Sequence, residues 1–220
     1  MPKVGMEPIR REQIRKAAAK VIAKKGFEKT TLMGVAKAAR VSTGTINHYY
    51  KNKLAVLFDA LLYSSEWFQA RTREAVAQAS SGPEKLKALT LVGIFDDSKD
   101  VATGLAVWIW ALSESINSKT LRELIAERRR LYQQTIADII QELDESRSLG
   151  PSDVAELATE LDAYINGLGY HRLTGERGLD AEAVQRSLLA LVMARIGQTM
   201  LEGRDHGKRR SVRVVATHRT

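Results

Sequence analysis

Thr31-Leu32-Met33-Gly34-Val35-Ala36-Lys37-Ala38-Ala39-Arg40-Val41-Ser42-Thr43-Gly44-Thr45-Ile46-Asn47-His48-Tyr49-Tyr50 is the stretch of this 220-residue chain on which its fold turns. Thr31 and Ser42 are both suited to cap a helix start, because a side-chain oxygen there accepts one of the amides that a first turn leaves unpaired. Leu32, Val35, Ala36 and Ala39 then recur at the spacing of one buried helical face. Val41, just ahead of the second cap, is placed to staple onto Ile46. The spacing predicts two short helices joined by a tight turn, the arrangement of a helix-turn-helix. Small Ala36 permits a close crossing, and Val35, Ala39, Val41 and Ile46 supply the shared core. Thr43, Gly44, Thr45, Asn47 and Tyr49 are left on the outer faces of the second helix.

The flanking sequence continues the helical pattern. Upstream, Ile14, Ala18, Val21 and Ile22 fall on one face, and Gly26 is a natural stop after Lys24 and Lys25. Downstream, Asn52 can cap a fourth helix with Leu54, Leu57, Phe58 and Leu61 inward, running past Trp67, Phe68 and Val76 to the break at Ser80-Ser81-Gly82-Pro83. Beyond it, further helices are predicted over 83–95, 101–116, 119–146, 151–173 and 180–202. The fold class is therefore all-α, with a three-helix head in residues 1–53 and a larger helical body in 54–202. The tail, 203–220, is polar and basic, with only Val212, Val214, Val215 and Ala216 apolar, and is expected to be largely disordered.

Charge is unevenly distributed. Residues 1–60 carry 13 Lys/Arg against 4 Asp/Glu, whereas 61–201 carry 15 against 20, and the tail is basic again. A basic head on an acidic body points to a polyanion at the head. No uninterrupted apolar run is long enough to span a membrane, and Met1-Pro2-Lys3-Val4-Gly5-Met6-Glu7-Pro8 has no apolar signal core. The chain has no cysteine, which excludes disulfides and thiolate metal sites, and a cytoplasmic location is expected. His48, His171, His206 and His218 lack metal-ligand spacing, so no metal or cofactor is expected. Phosphate-binding loops, dinucleotide fingerprints and nucleophile elbows are also absent, so nothing points to an enzyme.

A short helix exposing Thr, Asn and Gly suits the major groove, where base edges carry a readable donor and acceptor pattern. Thr43, Thr45 and Asn47 are the expected base readers, with Gly44 leaving room for close approach. Thr31, Ser42, Tyr49, Lys51 and Lys53 are expected at phosphates, which set register rather than sequence. His48 is read as a packing or phosphate residue rather than a pH switch.

These residues resemble the DNA-binding segment of the TetR family. The resemblance rests on Gly26-Phe27, Thr30-Thr31, Val35-Ala36, Val41 through Ile46, and His48-Tyr49-Tyr50-Lys51-Asn52-Lys53. Met1-Pro2-Lys3, Gly5-Met6, Ile9-Arg10-Arg11 and Gln13, with the Trp108 region leading to Arg129-Arg130-Leu131, further resemble that family's choline-responsive BetI-type branch. The resemblance implies an all-α homodimer whose first three helices bind DNA and whose remaining helices hold an inducer, acting by default as a repressor. Two positions depart from the family pattern. Arg40 stands where Gly usually occupies the turn; a left-handed backbone there costs about 1 kcal/mol, while its cation adds a DNA contact. Asn47 and His48 replace aromatics common in relatives, so base preference does not carry over.

Two further sites are expected in the body. Trp108, Trp110, Glu114 and Tyr170 are candidates for a cationic inducer, since aromatic faces beside a carboxylate attract quaternary ammonium groups. Leu157, Leu161, Ile165 and Leu168 form one apolar stripe, and Leu188, Leu191, Val192, Ile196 and Met200 another, the expected dimer surface. A two-fold dimer reads two half-sites about 34–36 Å apart, so a palindromic double-stranded operator is expected. The alternative is an architectural DNA-binding protein without an inducer.

Overall fold

A computed structural model describes residues 7–96, 98–175, 178 and 180–216, with side chains described as far as Leu201. Among the described residues the elements are α1 (Glu7–Lys25), α2 (Leu32–Ala39), α3 (Thr43–Tyr49), α4 (Lys53–Ala77), α5 (Gly82–Thr90), a π-helical turn (Leu91–Phe95), α6 (Lys99–Ser115), α7 (Lys119–Leu143), α8 (Pro151–Leu173) and α9 (Ala181–Ala216). No strand occurs among them, and no helix is long and apolar enough to cross a membrane. The protein is all-α, with a helix-turn-helix head and a helical body.

Packing groups these elements into two compact units whose bounds are not those of the motif-based division. The first comprises the described part of Met1–Glu74 together with Asp96–Leu131; the second comprises Ala75–Phe95 and the described part of Tyr132–Thr220. In the first unit one apolar cluster joins Ile14, Ala18 and Ile22 of α1, Val35, Ala36 and Ala39 of α2, Ile46 of α3 and Leu57 and Leu61 of α4. Val107 and Ala111 of α6 and Leu121 and Ile125 of α7 complete it. The faces expected from helical periodicity are thus largely the buried ones. Leu54 is an exception: it is exposed, while Val56, Asp59 and Ala60 turn inward beside Leu57. The expected cap Asn52 accepts the Ala55 amide at 2.9 Å.

In the second unit, Ile136 and Ile140 of α7, Val154, Leu157, Ala158, Leu161 and Ile165 of α8, and Val184, Leu188, Val192 and Ile196 of α9 are buried. The loop between α7 and α8 is organised by the buried Asp144 carboxylate. It accepts the Leu149 amide (2.8 Å) and the hydroxyls of Ser146 (2.7 Å) and Ser148 (3.1 Å). Burial alone pushes this carboxyl up, but those donors outweigh it and hold the group below its ordinary value.

Two expectations are corrected here. The helix predicted over 83–95 widens into a π-helical turn at Leu91–Phe95, where Gly93 brings its backbone against α8. A Cβ on Gly93 would lie 2.8 Å from Ile165 Cγ2, and one on Gly169 would lie 3.3 Å from the Gly93 carbonyl oxygen. Paired glycines thus permit a backbone approach that a regular helix with side chains would block. The tail expected to be disordered is helical as far as Ala216, continuing α9. Its Arg and Lys residues are good helix formers and no proline interrupts them, so a helix already nucleated by α9 propagates. Residues 217–220 lie outside the described residues.

Gly93→Ala therefore overpacks the α8 contact and should destabilise the protein by about 1–3 kcal/mol, read as a lower urea midpoint.

Candidate nucleic-acid interface

The expected DNA-binding residues stand at the N-cap of α2, in the turn, on α3 and at or just before the start of α4. Thr31 is extended backbone, and its hydroxyl accepts the Gly34 amide at 3.0 Å. A Cβ on Gly34 would sit 3.1 Å from that hydroxyl, so glycine leaves the cap room. Ser42 likewise caps α3, accepting the Thr45 amide at 3.0 Å, and its hydroxyl lies 2.8 Å from that of Thr45. Thr45 is half-buried and shares its hydroxyl with the cap, whereas Thr43, Gly44, Asn47 and His48 are exposed on the outer face of α3. Tyr49 is half-buried, with the His48 ring edge-on at 5.2 Å.

Arg40 is left-handed, at φ 53° and ψ 44°. Its amide donates to the Lys37 carbonyl (3.2 Å) and the Val41 amide to the Ala36 carbonyl (3.0 Å), the paired bonds of a Schellman motif. Gln13 of α1 adds a donor to the Ala39 carbonyl at 2.7 Å, closing the C-terminal end of α2. The Arg40 side chain stays exposed. Lys51 is exposed too. Lys53, by contrast, donates to the Glu28 carbonyl at 2.6 Å and lies 4.5 Å from the Phe27 ring centroid, so it is already engaged with the loop after α1.

One cluster in the head has no counterpart in the sequence reading. The Asp59 carboxylate of α4 is 5% exposed. It accepts the Tyr50 hydroxyl at 2.6 Å, Arg11 Nε at 3.2 Å and Arg11 Nη2 at 3.4 Å. Tyr50 closes α3 and is itself buried, its amide bonded to the Ile46 carbonyl. Burial and the Asp59 contact push the Tyr50 hydroxyl well above its ordinary range, and the bond to Asp59 raises Arg11 further. The available signal was a lone Asp on the inward face beside Val56, Leu57 and Ala60. Its partners, 48 residues and 9 residues away, have no local signature.

The inducer candidates are distributed between the units. Trp108, Trp110 and Glu114 lie on α6 in the first unit and Tyr170 on α8 in the second. A Cβ on Gly26 would lie 2.9 Å from Trp110 Cζ2, so the Trp110 ring packs on the turn that ends α1. Trp108 is half-buried against the first unit's core, with a buried indole N–H that has no protein acceptor, and Glu114 is half-buried. The expected dimer residues also divide. Leu157, Leu161, Ile165, Leu188, Val192 and Ile196 are buried within the single chain and form core, which removes them from any partner's reach. Leu168 is half-buried, and Leu191 and Met200 are exposed.

Comparison with known proteins agrees with this geometry. Residues 14–60 match the family model for bacterial regulatory proteins of the tetR family, and residues 84–197 match the model for the C-terminal part of BetI-type transcriptional repressors. The HTH-type transcriptional regulator BetI of Burkholderia thailandensis is 33% identical over 76% of this chain and 84% of its own length. Among solved structures, a putative transcriptional regulator from Saccharomonospora viridis in complex with choline superposes with a TM-score of 0.71 at 25% identity, covering 83% of this chain and 95% of that one. A putative transcriptional regulator from Pseudomonas aeruginosa PAO1 superposes at 0.74 with 18% identity, covering 90% and 97%. Fold and head together define a helix-turn-helix transcriptional regulator, not an enzyme. The chain belongs to the TetR family, in its BetI-type branch.

Because Arg40 holds a backbone conformation that glycine adopts freely, Arg40→Gly should raise the unfolding free energy by about 1 kcal/mol, measured in urea.

Proposed function

We propose that this chain is a cytoplasmic, dimeric repressor that leaves a two-fold DNA operator when a small cationic inducer, choline in the first instance, binds its body. The observation that carries the reading is α3. It is a capped helix on a basic head, with Thr43, Gly44, Asn47 and His48 turned outward. Asn47 and Thr43 read base edges, with Thr45 contributing the part of its surface that the cap leaves open. Thr31, Arg40, Ser42, Tyr49 and Lys51 face phosphates, and Lys53 chiefly braces the loop at Phe27 and Glu28. In functional terms residues 1–53 bind DNA, while 54–202 sense the ligand and assemble the dimer.

Support for a cationic inducer comes from membership of the BetI-type branch, from the choline-bound relative, and from Trp108 and Glu114 on one helix. Trp110 contributes by tying α6 to the end of α1. Ligand binding then stabilises an arrangement in which the two recognition helices no longer match the operator spacing. A coupling of about 1–3 kcal/mol suffices for a useful response.

The dimer face we assign to what the second unit leaves uncovered on α8 and α9. With most of the leucine stripes committed to the core, the exposed or half-exposed positions include Ala163, Tyr164 and Gly167 on α8 and Ala190, Leu191, Ala194 and Gly197 on α9. A Cβ on Gly167 or Gly197 would meet nothing within 4 Å. Small residues on two adjacent helices let a second copy approach closely as a four-helix bundle.

A duplex selected by the protein from a random pool tests the DNA reading by fluorescence anisotropy. Asn47→Ala should lose about 1–3 kcal/mol on that duplex and relax specificity. Lys51→Ala should weaken all duplexes alike and lower the salt slope by about one. Choline should release the selected duplex and change tryptophan emission; an unchanged spectrum with flat calorimetry removes choline as inducer. Equal affinity for selected and scrambled duplexes would instead mark an architectural protein. Ala194→Glu should yield a folded monomer by sedimentation, with operator binding weakened.

A further inference from the structure

Asp59, with only 5% of its surface exposed, is the one charged side chain among the buried residues described in the first unit. Its position is informative. The carboxylate sits in the second turn of α4 and holds, through one oxygen, both the residue that ends the recognition helix and a residue of α1. A carboxylate removed from water must be satisfied by donors, so this group dictates where those donors stand. Tyr50 is bonded at both ends: its amide closes the last turn of α3 on Ile46, and its hydroxyl reaches Asp59. The end of α3 is therefore referenced to α4 through a short, directional, charge-assisted bond, while Ile46 and the apolar cluster supply only non-directional packing.

We infer that Asp59 and Tyr50 are positioning residues for DNA reading: the Tyr50–Asp59 bond sets the orientation of α3. This rests on the regulator reading above. Base readout depends on side-chain placement to a fraction of an ångström, whereas attraction to phosphates tolerates rotation of a short helix. Loss of the bond should therefore act on specificity and not on general DNA affinity.

The test uses the full-length protein and compares two duplexes, the one selected by the wild-type protein and a scrambled one of equal length. Measurements are made well below the melting temperature, with helicity checked by circular dichroism. Tyr50→Phe removes only the hydroxyl, and Asp59→Leu removes the acceptor at similar volume; neither side chain is exposed to DNA. Each variant should lower affinity for the selected duplex about ten-fold or more while leaving the scrambled duplex unchanged. The double variant should be no worse than the weaker-binding single, because both changes remove the same bond. Should Tyr50→Phe fail to fold, Asp59→Leu carries the comparison alone. Folded variants that keep the wild-type ratio of affinities, that lose both duplexes equally, or whose losses multiply in the double variant overturn the inference. A wild-type protein that selects no duplex overturns the regulator reading and this one with it.

Discussion

A carboxylate buried in the head constrains everything around it. Asp59 is taken out of water, and an unpaired charge there would be strongly destabilising. The chain satisfies it with a phenol from the end of α3 and a guanidinium from α1. Three helices that meet mainly through apolar contacts thereby acquire a directional joint that includes α3. The apolar cluster of Ile14, Ile22, Val35, Ile46 and Leu57 keeps the head compact; hydrogen bonds with fixed geometry decide how α3 is turned within it.

That joint matters because α3 is too short to define itself. A helix of seven residues is marginal in water, since nucleation costs more than so few hydrogen bonds return. The head compensates at each boundary. Thr31 and Ser42 take amides at the starts of α2 and α3, a Schellman motif and Gln13 take carbonyls at the end of α2, and Tyr50 closes α3. Arg40 shows the compromise involved, for its backbone holds a strained conformation while its side chain remains at the surface. With the backbone held in this way, Thr43, Asn47 and His48 are free to face outward.

The second unit solves a different problem. Most residues of the two apolar stripes on α8 and α9 enter the unit's own core, and a π-helical turn at Gly93 seats on Ile165 and Gly169. What remains outside holds Ala163, Tyr164, Ala190, Leu191 and Ala194 beside the charged Glu156, Glu160 and Arg186.

Much of this was legible in order along the chain. Caps at Thr31, Ser42 and Asn52, the stop at Gly26 and the apolar spacing of α1 to α4 are local features, governed by bonds and contacts within a few residues; they determined the all-α class, the helix-turn-helix and the exposure of Thr43, Gly44 and Asn47, whereas Thr45 and Tyr49, expected outward too, are half-buried. Periodicity also identified Leu157, Leu161, Leu188 and Val192 as apolar faces, but it carries no information on what covers a face, and folding gave those residues to the core. Tertiary structure alone decided the rest. Asp59 meets Arg11 across 48 residues, Gln13 meets Ala39 across 26, and Trp110 lies on Gly26. Those contacts depend on how helices cross, which is settled by the summed packing of the whole unit and by no local pattern.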